Sequence, residues 1–255
     1  MRMKTIALAT VVLAAPLGAQ ESRFTKDMPA GNRLIIENIN GEVRVTQGSG
    51  RTAEVVVTKD VRRGDGNLVK AIMEETDGGI RVCTIYLNKN PNRTSCKGDN
   101  NNSWGGKDKL EVTMTYVVKV PAGVRLDVGT VNGSVNVSGL DAPVEIETVN
   151  GSVYFEGASA KSLSTVNGQV KGIFTKASWE GELQIETVNG GVDLTFPAGL
   201  NARVSGETVN GGITSQFPVT IEGKWGPKAL KGTIGTGGSV LTIETVNGGI
   251  TLRKP

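Results

Sequence analysis

Apolar and polar residues alternate along this chain in short segments that return at a fixed phase. Aligned on a recurring Asn, the third residue after it is Val43, Val135, Val153, Val170, Val192, Ile213 or Ile250. The fifth is Val45, Val137, Phe155, Gly172, Leu194, Ser215 or Leu252. Between them stand Arg44, Asn136, Tyr154, Lys171, Asp193, Thr214 and Thr251. Upstream of the same Asn, Leu34/Ile36, Val144/Ile146, Leu183/Ile185 and Leu241/Ile243 alternate in the same way. A period of two predicts half-buried strands. Each unit therefore reads as strand, tight turn, strand.

The turn is Thr-Val-Asn-Gly, at Asn132-Gly133, Asn150-Gly151, Asn167-Gly168, Asn189-Gly190, Asn210-Gly211 and Asn247-Gly248, with a diverged Asn-Ile-Asn-Gly carrying Asn40. Successive spacings are 18, 17, 22, 21 and 37 residues. A period near 20 is that of a stacked array, and the gap of 37 is close to two repeats with one motif lost. Asn-Gly between alternating strands is also a hairpin signal, so an antiparallel β meander is the alternative. Identical residues once per repeat favour parallel, in-register coils, in which like side chains pile on one another and Asn amides bond along the stack. In such coils Asn-Gly is a corner, and Gly151 and Gly190 are expected at positive φ. Ile146 and Val149 have opposite parity, so burying both requires a bend near Thr148.

Residues 61–120 break the pattern. Leu68 to Glu75 has apolar spacing that suits a short helix. A loop rich in Asn, Lys, Pro and Gly follows, then an alternating strand from Leu110 to Val117. This block is a candidate lid over an open sheet end, which must be kept from pairing with other chains. The reading is residues 20–120 as N-terminal strands and capping region and 121–255 as the repeat solenoid, one continuous domain. Lys224 to Lys228 is expected to project as a loop.

Composition narrows the chemistry. Arg2 and Lys4, an apolar run from Thr5 to Ala15 and small residues before Ala19 read as an export signal over 1–19. No stretch approaches the ~20 apolar residues of a membrane span. Without Arg2 and Lys4 the 28 basic residues become 26 against 25 acidic ones, a balance that recruits no nucleic acid. Cys83 and Cys96 are the only cysteines, and export favours a disulfide between them. The chain has no histidine, which excludes Ser-His-Asp and Cys-His nucleophilic arrangements. Glu37, Glu147, Glu186, Glu207 and Glu244 recur three before the Asn, and Glu186 and Glu207 are expected on neighbouring coils. A solvated acidic face explains them better than a cation ladder. A Thr column two before the Asn, Thr130, Thr148, Thr165, Thr187, Thr208 and Thr245, suits strands because Thr is β-branched. No cofactor or metal is expected.

The export signal, Val120-Pro121-Ala122-Gly123-Val124-Arg125-Leu126-Asp127-Val128, the Thr-Val-Asn-Gly series and Gly235-Thr236-Gly237-Gly238-Ser239 together resemble a bacterial family of exported putative adhesins of unknown function. The resemblance covers nearly the whole mature chain. It implies an all-β, right-handed parallel β-solenoid in the periplasm or at the cell surface, and brings no catalytic residues. The resulting expectation is a non-enzymatic structural or binding module of the envelope, its partner an envelope glycan or protein surface. A polysaccharide-active enzyme of β-helix type is the alternative.

Overall fold

The computed structural model describes residues 19–87, 90–97, 110–223 and 226–255. The export signal, Lys224, Trp225 and part of the cysteine loop lie outside the described residues. The strands are β1 (Ala19–Asp27), β2 (Arg33–Glu37), β3 (Val43–Gln47), β4 (Thr52–Arg63), β5 (Val69–Thr76), β6 (Gly79–Tyr86), β7 (Glu111–Val120), β8 (Arg125–Asn132), β9 (Val135–Leu140) and β10 (Val144–Asn150). They continue as β11 (Val153–Gly157), β12 (Ala160–Asn167), β13 (Val170–Phe174), β14 (Glu182–Asn189), β15 (Val192–Thr195) and β16 (Ala202–Asn210). The last are β17 (Ile213–Ser215), β18 (Thr220–Glu222), β19 (Lys228–Ile234), β20 (Ser239–Asn247) and β21 (Ile250–Arg253).

These strands form two mixed sheets, rich in parallel pairs, that face each other across an apolar core. The first runs β1-β4-β7-β3-β9-β11-β13-β15-β21-β17 and the second β18-β19-β16-β20-β14-β12-β10-β8-β2-β6-β5. Each repeat sends a strand of the second sheet through Asn-Gly into a strand of the first. Repeat strands pair parallel with equivalent residues opposite, as Asn150 does with Asn132 and with Asn167. The antiparallel meander is thereby overturned, and antiparallel pairing is confined to the ends, where β1, β4 and β7 meet, β5 joins β6, and β19 joins β16.

Alternation explains the burial. In β10, Val144, Ile146 and Thr148 face the core while Glu145 and Glu147 face outward. Val149 points outward too, so strands run straight into Asn and no bend near Thr148 is needed. Phe155, Phe174 and Phe196 stack on successive coils, with ring centroids 5.1 and 4.6 Å apart. Gly172 makes room for them, since a Cβ there would lie 2.9 Å from the Phe174 ring.

Two expectations fail here. Leu68 to Glu75 is not a helix: a 3-10 turn, Gly66–Leu68, leads into β5. About two turns of local helical spacing cannot compete with the eight residues of antiparallel pairing that β6 offers β5. Nor is a coil missing in the gap of 37. The last repeat, β20–β21, lies between β14–β15 and β16–β17, so the coils do not stack in chain order. The intervening residues pair along the outer edge of β16 instead.

The sequence of β16–β17 shows why it is pushed to the outside. Where inner coils carry Ile146, Leu163, Ile185 and Ile243, β16 has Gly206, and where they carry Leu194 and Leu252, β17 has Ser215. An inner coil so depleted would leave cavities. At the end of the stack, Leu230 of β19 fills the space over Gly206 and Phe217 folds in beside β17, both buried.

Candidate functional site

The Thr-Val-Asn-Gly corner generates four parallel columns, each with its own chemistry. In spatial order the asparagines are Asn40, Asn132, Asn150, Asn167, Asn189, Asn247 and Asn210. Each Nδ2 donates to the Oδ1 of the neighbour before it, at 2.8 to 2.9 Å, and Asn40 Nδ2 ends the run on the Tyr86 hydroxyl at 3.2 Å. All six amide-to-amide bonds point the same way along the rod.

The glycine column is a matter of close approach. None of Gly133, Gly151, Gly168, Gly190, Gly211 or Gly248 has positive φ, so the expectation for Gly151 and Gly190 is corrected. A Cβ on Gly151 would instead lie 2.2 Å from the carbonyl oxygen of Gly133, and one on Gly190 1.8 Å from that of Gly168. Gly133, Gly168, Gly248 and Gly211 meet the same obstacle at 1.9 to 2.1 Å. No side chain fits where backbone stacks on backbone at this distance.

Buried threonines serve those carbonyls. Thr148, Thr165, Thr187, Thr245 and Thr208 donate their hydroxyls to the carbonyls of Gly133, Gly151, Gly168, Gly190 and Gly248, at 2.8 to 3.0 Å. Gly211, at the end of the stack, receives the Lys228 ammonium at 2.7 Å. At the other end Asn38 stands where Thr would, and its amide reaches both Gly41 and Met114 carbonyls at 3.0 and 2.9 Å. The Gly41 carbonyl is thus taken, and the Thr130 hydroxyl is buried without a partner. Asn38 is held by Thr84, which also bonds the buried Tyr116 hydroxyl at 2.7 Å. Burial pushes the Tyr116 phenol well above its usual range.

The outward column is valine. Val131, Val166, Val188, Val246 and Val209 are 39 to 44 % exposed and lie on the outer face beside the asparagines. Their alternation out of phase with Ile146 was the available sequence signal, and reading it as a bend hid it. Glutamates run parallel to them. Because β20 intervenes, Glu186 neighbours Glu244, which neighbours Glu207, and the direct Glu186–Glu207 contact is corrected. Among the described residues no group of three or more His, Cys, Asp or Glu is placed to hold a metal ion.

A charged hollow on the outer face of the second sheet has no motif in sequence. It is lined by Arg33, Arg125, Asp127, Pro143, Glu145 and Lys161, from β2, β8, β10, β12 and the approach to β10. Arg33 bonds Asp127 and lies 3.9 Å from Glu145, which Lys161 contacts at 3.1 Å. Burial, outweighing Arg33, holds the Asp127 carboxyl above the usual range. Paired carboxylates across neighbouring strands would be visible in sequence only once the coil register was known. Cys83 and Cys96 are joined by a disulfide, Cα atoms 5.9 Å apart, in a small buried cluster with Ile85 that is separate from the main core.

A parallel-rich two-sheet body with one repeat per coil invites comparison with known repeat families. The family model described as Toastrack DUF4097 matches residues 112–253, more than half of the chain. The chain belongs to the Toastrack DUF4097 family. That match takes in β8 to β21 and thus all six complete Thr-Val-Asn-Gly motifs. Among solved structures, this Toastrack chain is similar to a putative cell adhesion protein from Clostridium sporogenes, at 11 % identity and a TM-score of 0.46, over 92 % of this chain and 100 % of that one. A putative adhesin from Bacteroides fragilis follows at 12 % identity and a TM-score of 0.37, over 91 % and 97 %. A putative lipid binding protein from Parabacteroides distasonis has 10 % identity and a TM-score of 0.25, over 91 % and 96 %. No match is found among curated proteins. No helix among the described residues is long and apolar enough to cross a membrane.

Proposed function

We propose that this Toastrack chain is a non-enzymatic, exported binding or structural module of the bacterial envelope. It is built as a right-handed solenoid whose end strands within 20–120 act as a cap, continuous with the repeats of 121–255. The observation that carries the reading is the unbroken face of valine and asparagine along the coils. The amides of that face are satisfied by one another, so the valines are its free contact groups, repeated about every 4.8 Å. A surface of that kind suits an extended, repetitive partner such as an envelope glycan, or a protein surface, more than a small molecule, which favours a concave pocket.

The runner-up, a polysaccharide-active enzyme, draws on Asp127 beside Glu145, since a pair of positioned carboxyls, one raised by burial, is the arrangement that glycoside hydrolysis uses. Binding of the purified chain to a glycan array and to isolated envelope fragments separates the two. Binding lost in Val166→Asn with Val188→Asn, and kept in Asp127→Asn, supports the module. Release of oligosaccharides that stops in Asp127→Asn or Glu145→Gln supports the enzyme.

A further inference from the structure

The order of the coils poses a physical question that the envelope reading does not touch. The slot between β14–β15 and β16–β17 is filled by residues 239–253, which are not sequence neighbours of either wall. The ladder contacts in that slot are repeat contacts, and Trp179, Glu182 and Asp193 add bonds to Ser239, Val240, Thr242 and Arg253. Asn247 donates to Asn189 and accepts from Asn210, Thr245 donates to the Gly190 carbonyl, and the Gly248 carbonyl accepts from Thr208. Leu241 and Ile243 pair with Leu183 and Ile185 on one side and with Val204 and Gly206 on the other. Nothing in these contacts depends on which molecule the inserted coil comes from.

Covalent connection alone ties the coil to its own slot, and that connection is short. Ala202 of β16 pairs with Ile234 of β19 on one side and with Ser239 of β20 on the other. Four residues, 235–238, therefore carry the chain around the start of β16, from its outer edge to its inner one. Two strand spacings are about 10 Å. Gly235, Gly237 and Gly238 all take positive φ, at 59, 76 and 105°, and the Thr236 amide donates to Asn201 Oδ1 at 2.9 Å. The crossing is a tight, glycine-built hinge of the type at which identical elements exchange between copies.

We propose that residues 239–253 are an exchangeable coil, and that the slot between β14–β15 and β16–β17 takes this coil from a second copy of the chain, which receives the first copy's coil in return. The two-fold product keeps every ladder contact of the monomer, so hinge geometry and concentration set the balance between closed and exchanged forms. Shortening the hinge tips it. With Gly237 and Gly238 deleted, Ile234 and Ser239 are three Cα steps apart, at most about 11 Å, which leaves no slack to round β16. An extended hinge reaching a second copy has no such turn to make.

Two single-site chains provide the test. Glu186 and Glu244 are registered, outward-facing neighbours, and adjacent strands lie within the Cα separation a disulfide accepts. A chain bearing Glu186→Cys and another bearing Glu244→Cys are unfolded, mixed at high concentration, refolded and oxidised, beside a control mixture in which Glu111→Cys replaces Glu244→Cys. The expected result is a covalent heterodimer of doubled mass in the first mixture and background yield in the control, with a larger yield when both chains lack Gly237 and Gly238. Equal yields in mixture and control would overturn the proposal, as would a shortened-hinge chain that is folded and monomeric by light scattering. If that chain does not fold, the unmodified-hinge pair still decides. Loss of glycan binding in these chains would bear on the envelope reading alone.

Discussion

Lys228 donates its ammonium to the Gly211 carbonyl at 2.7 Å, ending a column of glycine carbonyls in which threonine hydroxyls serve the inner coils. Antiparallel pairing with Thr208 places Lys228 there. The stack runs out of threonines at its last coil, and the end strand supplies a longer donor.

Lys228→Met keeps most of the stem and removes the donor. It is expected to lower stability by about 1–3 kcal/mol, the range for a bond to a charged group or for an acceptor left unmet. Urea unfolding measures it, and an unchanged midpoint would mean that water replaces the ammonium without loss.

Gly168→Ala puts a methyl 2.1 Å from the Gly151 carbonyl oxygen, whereas Gly129→Ala meets nothing within 4 Å, and neither glycine has positive φ. The first is expected to cost about 3 kcal/mol or more, because two coils must separate to admit it. The second is expected to be neutral or to stabilise by up to about 1 kcal/mol through the unfolded chain. Thermal unfolding of the two variants side by side checks whether close approach, and not turn geometry, fixes the column.

Asn167→Asp reverses one rung. Asn167 donates to Asn150 Oδ1 at 2.9 Å and accepts from Asn189 at 2.8 Å, and a carboxylate can do only the second. Two acceptors then face each other, with an expected cost of about 1–3 kcal/mol at neutral pH. A protonated carboxyl can donate again, so the folded-state pKa rises and the penalty fades as pH drops toward about 4. Melting temperatures across that interval test this; a penalty independent of pH would place the loss in packing.

Asp127 holds its proton more tightly in the folded chain than the ordinary 3.8, because burial outweighs Arg33. Such a group favours folding most when protonated. Its contribution is present in full below the ordinary value and declines as pH rises through the folded one. The stability difference between the parent and Asp127→Asn should therefore move in the parent's favour on acidification. A move in the other direction would show that the bond to Arg33 governs the carboxyl.

Strands, their alternation and their parallel stacking were legible because they depend on local period and on repetition. Order along the stack was not. A column of identical residues matches any coil to any other, so Asn247 fits beside Asn189 as well as beside Asn210. Gly206 and Ser215, which leave one coil with a gap in each apolar column, were the visible trace of the terminal coil, and Leu230 and Phe217 complete it only in three dimensions. The charged hollow escaped for the same reason: Arg33 and Asp127 are far apart in sequence and meet only through the pairing of β2 with β8. In the glycine column position was legible and cause was not, since a carbonyl on the next coil leaves no mark on its neighbour's sequence.

A chain is made from its N-terminus onward, and residues 239–253, made after both walls of their slot, lie in the interior of the stack. Residues 202–215 therefore emerge with their inner neighbour still unmade, and the outermost coil must wait or hold a provisional position. A chain interrupted before Ser239 would lack a middle layer and leave the two walls of the slot bare. The stack is whole only once residues 239–253 are in place, and a copy without them presents raw sheet edges that a copy with them conceals.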